Sequence, residues 1–267
     1  MAGVFQVLWG QADGTFKKAA VLNGTDDKPL IIPIEDRKQQ TQNICTRPTA
    51  VDWDGDGDLD LVVGNFAGTF YLFTGEGDGK FLPKPSPVMA GESPLKIDGA
   101  HSDPFVIDWD GDGDLDLLSG SSGGGVYLAE NQAGKGKPPE LKPFQSLIEP
   151  ASQTKRGQGY KEEDLVGPTA ATRIWVDDMN SDGRLDVLVG DRVTVVSPAN
   201  GLSEEEVAEK LAAWQEAIDE IRSEMRAPAV DAEKRKELYK RYRELYAERK
   251  EIVSEERTGF VWLYLQK

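Results

Sequence analysis

The chain has 267 residues, enough for one large domain or two small ones with a sizeable core. Its 47 Asp and Glu against 31 Lys and Arg give a formal net charge of −16, which argues against a nucleic-acid partner, since phosphate recognition needs a basic surface. One cysteine, Cys45, rules out an intramolecular disulfide framework, and no apolar run approaches the roughly 20 residues that cross a bilayer.

At the N-terminus, Met1-Ala2-Gly3-Val4-Phe5 shows no basic segment followed by an apolar stretch, so no export signal is visible. Phe5-Gln6-Val7-Leu8-Trp9 is a predicted strand leading into the turn Gly10-Gln11-Ala12-Asp13-Gly14-Thr15-Phe16. The same pattern recurs 65 residues later, where Thr69 to Phe73 leads into Gly75-Glu76-Gly77-Asp78-Gly79-Lys80-Phe81. Residues 1–45 therefore have the form of the outer half of a sheet whose inner strands are missing. Cys45 is expected to be a buried or inert thiol, because no clustered histidine could activate it. His101, the one histidine, falls in a polar turn and is expected to play a surface role.

The organising feature is an aspartate-rich loop in three copies. Val51-Asp52-Trp53-Asp54-Gly55-Asp56-Gly57-Asp58-Leu59-Asp60-Leu61 is almost repeated as Ile107-Asp108-Trp109-Asp110-Gly111-Asp112-Gly113-Asp114-Leu115-Asp116-Leu117. A looser third copy runs Asp177-Asp178-Met179-Asn180-Ser181-Asp182-Gly183-Arg184-Leu185-Asp186-Val187. Each leads into a short apolar strand that ends on Gly64, Gly120 or Gly190. Loop starts at Asp52, Asp108 and Asp178 give spacings of 56 and 70 residues, which suits four short strands per repeat, the size of a propeller blade. Between two strands, Ser121-Ser122-Gly123-Gly124-Gly125 has the composition of a hairpin turn rather than of a phosphate cradle.

After Val193-Thr194-Val195-Val196 the β pattern stops, and Leu202 to about Glu256 is predicted helical. Ser203 with Glu206 makes a capping box, and Val207, Leu211, Trp214, Ile218, Ile221 and Met225 follow helical spacing. Pro228 ends that helix, and a second opens near Asp231 with Leu238, Tyr242, Leu245 and Ile252 on its seam. The first helix is acidic and the second rich in base, so the two should pair as an antiparallel hairpin. Gly259 to Leu265 then returns as a strand.

Calcium wants six to eight oxygens, and carboxylates at alternate positions of a tight loop converge on one point. Candidate ligand positions are Asp52, Asp54, Asp56, Asp58 and Asp60; Asp108, Asp110, Asp112, Asp114 and Asp116; and Asp178, Asn180, Asp182, Arg184 and Asp186. The seventh position of each loop (Asp58, Asp114, Arg184) would lend its backbone carbonyl, and the glycines let the chain curl. Lack of Cys and His clusters excludes zinc and copper chemistry, and magnesium tolerates fewer protein ligands. An EF-hand needs Glu at position twelve and flanking helices, whereas Val63, Ser119 and Val189 stand there between strands. Three Ca2+ sites are therefore expected, the third weakest, since it has three carboxylates against five in each of the others.

The pattern Asp-x-Asp-x-Asp-Gly-x-x-Asp between strands, followed by a short apolar strand and Gly, resembles the FG-GAP/VCBS repeats of integrin α-subunit propellers and their bacterial relatives. The resemblance implies an all-β propeller of four-stranded antiparallel blades, usually seven to a ring, with calcium in hairpins on one face. On that basis the chain divides into a partial outer blade (1–45), blades at 46–98, 99–165 and 166–267, and an inserted helical hairpin (202–256). The helical hairpin, the half blade and the count of three loops depart from the family pattern. With one histidine and one unactivated cysteine, no Ser/His/Asp or Cys/His set forms. The implied function is non-enzymatic adhesion or ligand binding, extracellular, periplasmic or at the cell surface. The alternative is the propeller of a lectin or sugar lyase, with Trp53 and Trp109 stacking on sugar rather than packing between blades. A protein or glycan ligand, and self-association through an incomplete ring or the helical hairpin, are the partners considered.

Overall fold

The computed structural model describes residues 3–34, 36–151, 159–199, 201–227 and 231–267; Pro228 lies outside these residues. The chain is mostly β and divides into two compact units, one comprising Met1–Ala151, Gly167–Arg192 and Phe260–Lys267, the other Ser152–Val166 and Val193–Gly259.

Small antiparallel sheets build the first unit. A two-residue ribbon pairs β1 (Gln6–Val7) with β2 (Ala20–Val21), shorter than the strand predicted over Phe5–Trp9. The first full sheet is the meander β3 (Arg47–Val51), β4 (Asp60–Gly64), β5 (Phe70–Phe73) and β6 (Ser86–Pro87). A short ribbon of β7 (Met89–Ala90) and β8 (Ser93–Pro94) follows. The second sheet repeats the meander with β9 (Asp103–Ile107), β10 (Asp116–Gly120), β11 (Val126–Ala129) and β12 (Gln145–Ile148). In the third sheet β13 (Arg173–Asp177) and β14 (Asp186–Gly190) are joined by a strand from the far C-terminal end, Val261–Tyr264.

Strands β4 and β10 are buried along their whole length, because both faces of each sheet are covered. That is why they are continuous apolar runs rather than alternating ones. One face of the first sheet (Leu61, Val63, Phe73) meets Phe5, Leu30 and Ile32 of the N-terminal segment. Its other face (Val62, Phe70, Trp53) meets Leu117 and Ala129 of the second sheet. The second sheet's far face (Leu118, Val126, Leu128) meets Val176, Val187 and Val189 of the third. Trp53 is buried in this stack and Trp109 packs in the corresponding cluster, so both tryptophans fill space between sheets.

The turn entering each innermost strand shows the repeat most clearly. Cys45, His101 and Ala171 occupy the same place in their repeats, and all three take left-handed backbone with φ of 54, 59 and 52°. The next residue, where it faces a preceding sheet, brackets that sheet with its hydroxyl. Ser102 Oγ accepts from the Asn65 amide at 2.8 Å, and Thr172 Oγ1 accepts from the Ser121 amide at 2.8 Å. Of the two states expected of Cys45, buried or inert, burial is not found: Cys45 is exposed, because its position is set by this turn and not by hydrophobicity. The His101 ring lies 4.4 Å from that of Phe66. Beside it, Asp103 accepts from Arg173 at 2.7 Å and pairs with Arg47 at 3.5 Å, so one carboxylate ties together the first residues of three innermost strands.

The second unit is an antiparallel ribbon of β15 (Val193–Pro198) and β16 (Val253–Thr258) that carries α1 (Glu204–Arg226) and α2 (Ala232–Arg249). The final strand, β17 (Val261–Tyr264), belongs to the third sheet. The helical region predicted over 202–256 therefore ends early: Val253–Glu256 is strand, because β15 finds its partner there and not in the third sheet. For the same reason the third sheet has three strands among the described residues, not the four expected of a full blade. The helices pair as expected. Ser203 and Glu206 form the capping box, Asp231 caps α2, and Trp214, Ile218, Ile221, Leu238 and Leu245 make a separate core. Trp214 Nε1 donates to the Leu245 carbonyl at 2.8 Å, and Lys234 pairs with Glu224 at 3.8 Å.

Two outcomes follow from this layout. Because Pro198 pairs with Val253, replacing residues 199–252 with a tight Asn-Gly turn should remove the helical circular-dichroism signal while leaving calorimetric metal binding unchanged. His101 is held below its ordinary value of 6.5 by burial first and then by Arg47, Arg192 and Arg173. The unfolded chain therefore takes up the proton before the folded one, so this contribution is present above the unfolded value of 6.5 and is lost as pH falls from there through the lower folded-state value. Thermal melts in chelator should show stability falling between neutral and mildly acid pH, and His101→Asn, which tolerates the left-handed backbone, should flatten the fall.

Candidate metal centres

Each aspartate loop is the connection between the first two strands of a sheet, closed by the pairs Val51↔Asp60, Ile107↔Asp116 and Asp177↔Asp186. The curl needs positive φ at two points. Gly55 and Gly57 supply it in the first loop (78 and 96°), and Gly111 and Gly113 in the second (78 and 93°). In the third loop Ser181 takes φ of 61° beside Gly183, a conformation that disfavours a residue with a Cβ by about 1 kcal/mol or more.

Matching hydrogen bonds shape all three loops, except that the first aspartate of the third takes the amide of position five where the others take that of position four. The first aspartate accepts from two amides further along. Asp52 takes Gly55 and Gly57 at 2.9 and 3.1 Å, and Asp108 takes Gly111 and Gly113 at 2.8 and 3.0 Å. Asp178 takes Asp182 and Gly183 at 3.0 and 2.9 Å. Position three accepts from the amide of position five, at 3.2 Å for Asp54, 3.1 Å for Asp110 and 2.9 Å for Asn180. Position five accepts from the amide of position seven, at 2.8 Å for Asp56, 3.0 Å for Asp112 and 2.9 Å for Asp182.

These bonds aim carboxylates at a common centre. Oxygens of Asp52, Asp54 and Asp56 lie within 4.8 Å of one another, as do those of Asp108, Asp110 and Asp116. Oxygens on opposite sides of a calcium ion stand about 5 Å apart, twice a bond of roughly 2.5 Å, so either set fits one such ion. In the third loop Asn180 replaces a carboxylate and Arg184 pairs with Asp182 at 3.2 Å, supplying an internal positive charge where the other loops have none. The Arg184 amide, followed by other loop contacts, holds the Asp182 carboxyl below the usual range.

In the first two loops the side chain of position seven reaches a neighbouring turn, whereas in the third Arg184 turns back to Asp182 of its own loop. Asp114 accepts from the Gly134 amide at 2.6 Å, and Asp58 lies against Gly77 in the matching turn of the first sheet. Position nine does something the sequence did not disclose. Asp60, Asp116 and Asp186 are buried, and each accepts two backbone amides, one per oxygen. One bond comes from its own loop, from Trp53, Trp109 and Met179 at 2.9, 2.8 and 3.0 Å. The other comes from just beyond the third strand of the sheet, from Gly75, Asn131 and Gln266 at 2.7, 2.7 and 3.0 Å. Burial raises the carboxyls of Asp60 and Asp116 above their ordinary value, with neighbouring aspartates adding to the effect and these amides opposing it. A constant offset of 15 residues from Asp60 to Gly75 and from Asp116 to Asn131 is the sequence trace of this clasp. The insertion hides it in the third repeat.

Residues 52–119 match the model of the FG-GAP-like repeat family. The chain carries an FG-GAP-like repeat. The matched stretch runs from the first aspartate loop through the second, and so covers most of one sheet and nearly all of the first two strands of the next. Neither curated proteins nor solved structures yield a match. Among the described residues, no helix is long and apolar enough to cross a membrane.

The clasp and the ligand positions separate in chelator. Asp60→Ala orphans two buried amides and should cost about 2–4 kcal/mol in denaturant melts with EDTA. Asp54→Ala, which removes an exposed carboxylate from a repulsive cluster, should be neutral or slightly stabilising there and destabilising only when calcium is added.

Proposed function

We propose that this chain is a non-enzymatic calcium-binding module, its stacked sheets acting as blades of an integrin-like propeller and its ions holding the loops in shape. The observation that supports this reading most directly is the convergence of three carboxylates within 4.8 Å in two loops of an FG-GAP-like repeat. Asp52, Asp54 and Asp56, with Asp60 behind them, would hold one ion, and Asp108, Asp110 and Asp116 a second. Asp178, Asn180, Asp182 and Asp186 would hold a third more weakly, because Arg184 competes for Asp182. Calcium supplies charge neutralisation there: it offsets the mutual repulsion of the aspartates and relieves the cost of burying Asp60 and Asp116.

Support for a non-catalytic role comes from the residues that chemistry would need. His101 sits at a structural turn position shared by Cys45 and Ala171, where all three residues take left-handed backbone. The tryptophans at position two of the loops serve packing between sheets, which favours adhesion or protein-ligand binding over sugar stacking at those residues. Extracellular calcium modules work at about 10⁻⁴–10⁻³ M calcium, so a calcium-held module of this kind suits extracellular, periplasmic or cell-surface surroundings.

Isothermal titration of the chelator-stripped protein should reveal two tighter calcium sites and one weaker, with Asp110→Ala abolishing one of the tight pair. An absence of heat at millimolar calcium, or three equal sites, would overturn this assignment.

A further inference from the structure

Contact between sheets follows the repeat residue by residue. Gly64 pairs with Phe70, Gly120 with Val126 and Gly190 with Val261, so these three pairs are equivalent. Phe70 and Val126 are 0% exposed, each covered by the next sheet, whereas Val261 is 70% exposed. Leu128 is 5% exposed and its counterpart Leu263 52%; Trp53 is 7% exposed and its counterpart Met179 39%. Backbone spacing agrees. A Cβ at Gly64 would fall 2.4 Å from the Ser102 carbonyl, and one at Gly120 would fall 2.3 Å from that of Thr172, but at Gly190 nothing lies within 4 Å. A surface that is buried twice in this chain is uncovered the third time. Trp175, paired across Leu188 with Leu263, widens it.

The opposite end of the stack presents the matching half. The N-terminal turn closes with a Gly10↔Phe16 bridge, as the later turn closes with Gly75↔Phe81, so β1 corresponds to β5 and Leu8 to Phe73. In the second sheet that position is Ala129, which lies in the cluster with Val62 and Phe70. Leu8 is exposed, with Val21 and Phe16 beside it in the same hairpin. One chain thus exposes both halves of a contact that it forms internally between consecutive sheets.

We propose that two copies of this chain associate head to tail, the Val261–Leu263 face of each covered by the Leu8–Val21 hairpin of the other. Such a contact is heterologous, and a closed pair is the smallest assembly in which neither apolar end remains open. The second copy is the natural occupant because it carries the complementary face already matched to this one by the repeat. The inference does not depend on calcium. Repulsion between chains of net charge −16 opposes the pairing, so added salt should strengthen it.

Light scattering coupled to size exclusion tests this on the unaltered chain in chelator and moderate salt. The expected result is the mass of two chains. A double change at one end (Val261→Glu with Leu263→Glu) or a change at the other (Leu8→Glu) should each halve the mass, with circular dichroism showing that the fold persists. Mixing the two variants should restore a two-chain particle, since each keeps the half that the other lacks. A single-chain mass for the unaltered protein, or a two-chain mass unmoved by both variants, overturns the proposal. Restoration on mixing cannot arise from variants that merely misfold.

Discussion

A buried carboxylate at the ninth position of each aspartate loop is the interaction on which the sheets depend. Asp60, Asp116 and Asp186 each join their own loop to the chain just past the third strand, through one amide per oxygen. The bond locks the hairpin of the first two strands to the third, and it fixes where the remaining aspartates of the loop stand. Loop shape and sheet architecture therefore share one residue. Burying a charge with only neutral donors is costly, and burial does raise the carboxyls of Asp60 and Asp116. A cation at the neighbouring oxygens offsets that cost, which gives a physical reason for calcium to stabilise such a sheet.

In the third sheet the clasp survives a long interruption. Asp186 reaches the Gln266 amide across 80 residues, because the second unit leaves and returns at one point. Asp191 accepts there from the Phe260 amide at 2.8 Å, and the Asp191 amide donates to the Phe260 carbonyl at 3.1 Å. The insertion takes the place of the short connection that Asn65–Thr69 and Ser121–Gly125 provide in the other two sheets. A turn that ends where it begins accepts extra chain at small entropic cost, provided the inserted segment folds by itself. Its own core around Trp214 and Ile218 meets that condition.

Much of this was legible in the residues. The loops announce themselves because carboxylates at alternate positions and glycine at the curls form a pattern local enough to appear as spacing. The helices are equally readable, since the capping box at Ser203 and the seam from Val207 to Met225 are local periodicities. The third strand of the last sheet was also recoverable, as Phe260 to Leu265 repeats an apolar strand pattern. Where the sequence misled, pairing partners were at fault. Val253–Glu256 continues a charged helical run, yet becomes strand because β15 offers it an edge. Cys45 suggests burial by type, but its turn holds it in the open.

By itself, then, the sequence determined the three loops, their inequality, the repeat length and the paired helices, because each rests on contacts between residues close in the chain. Only the tertiary structure decided that position nine is a clasp, that Asp58 and Asp114 turn their side chains toward a neighbouring turn, and that the insertion is a unit with its own ribbon. It alone revealed that equivalent residues differ in fate, Phe70 and Val126 covered and Val261 open. Burial depends on what stands opposite a residue in space, and identical repeats carry no record of whether another sheet follows.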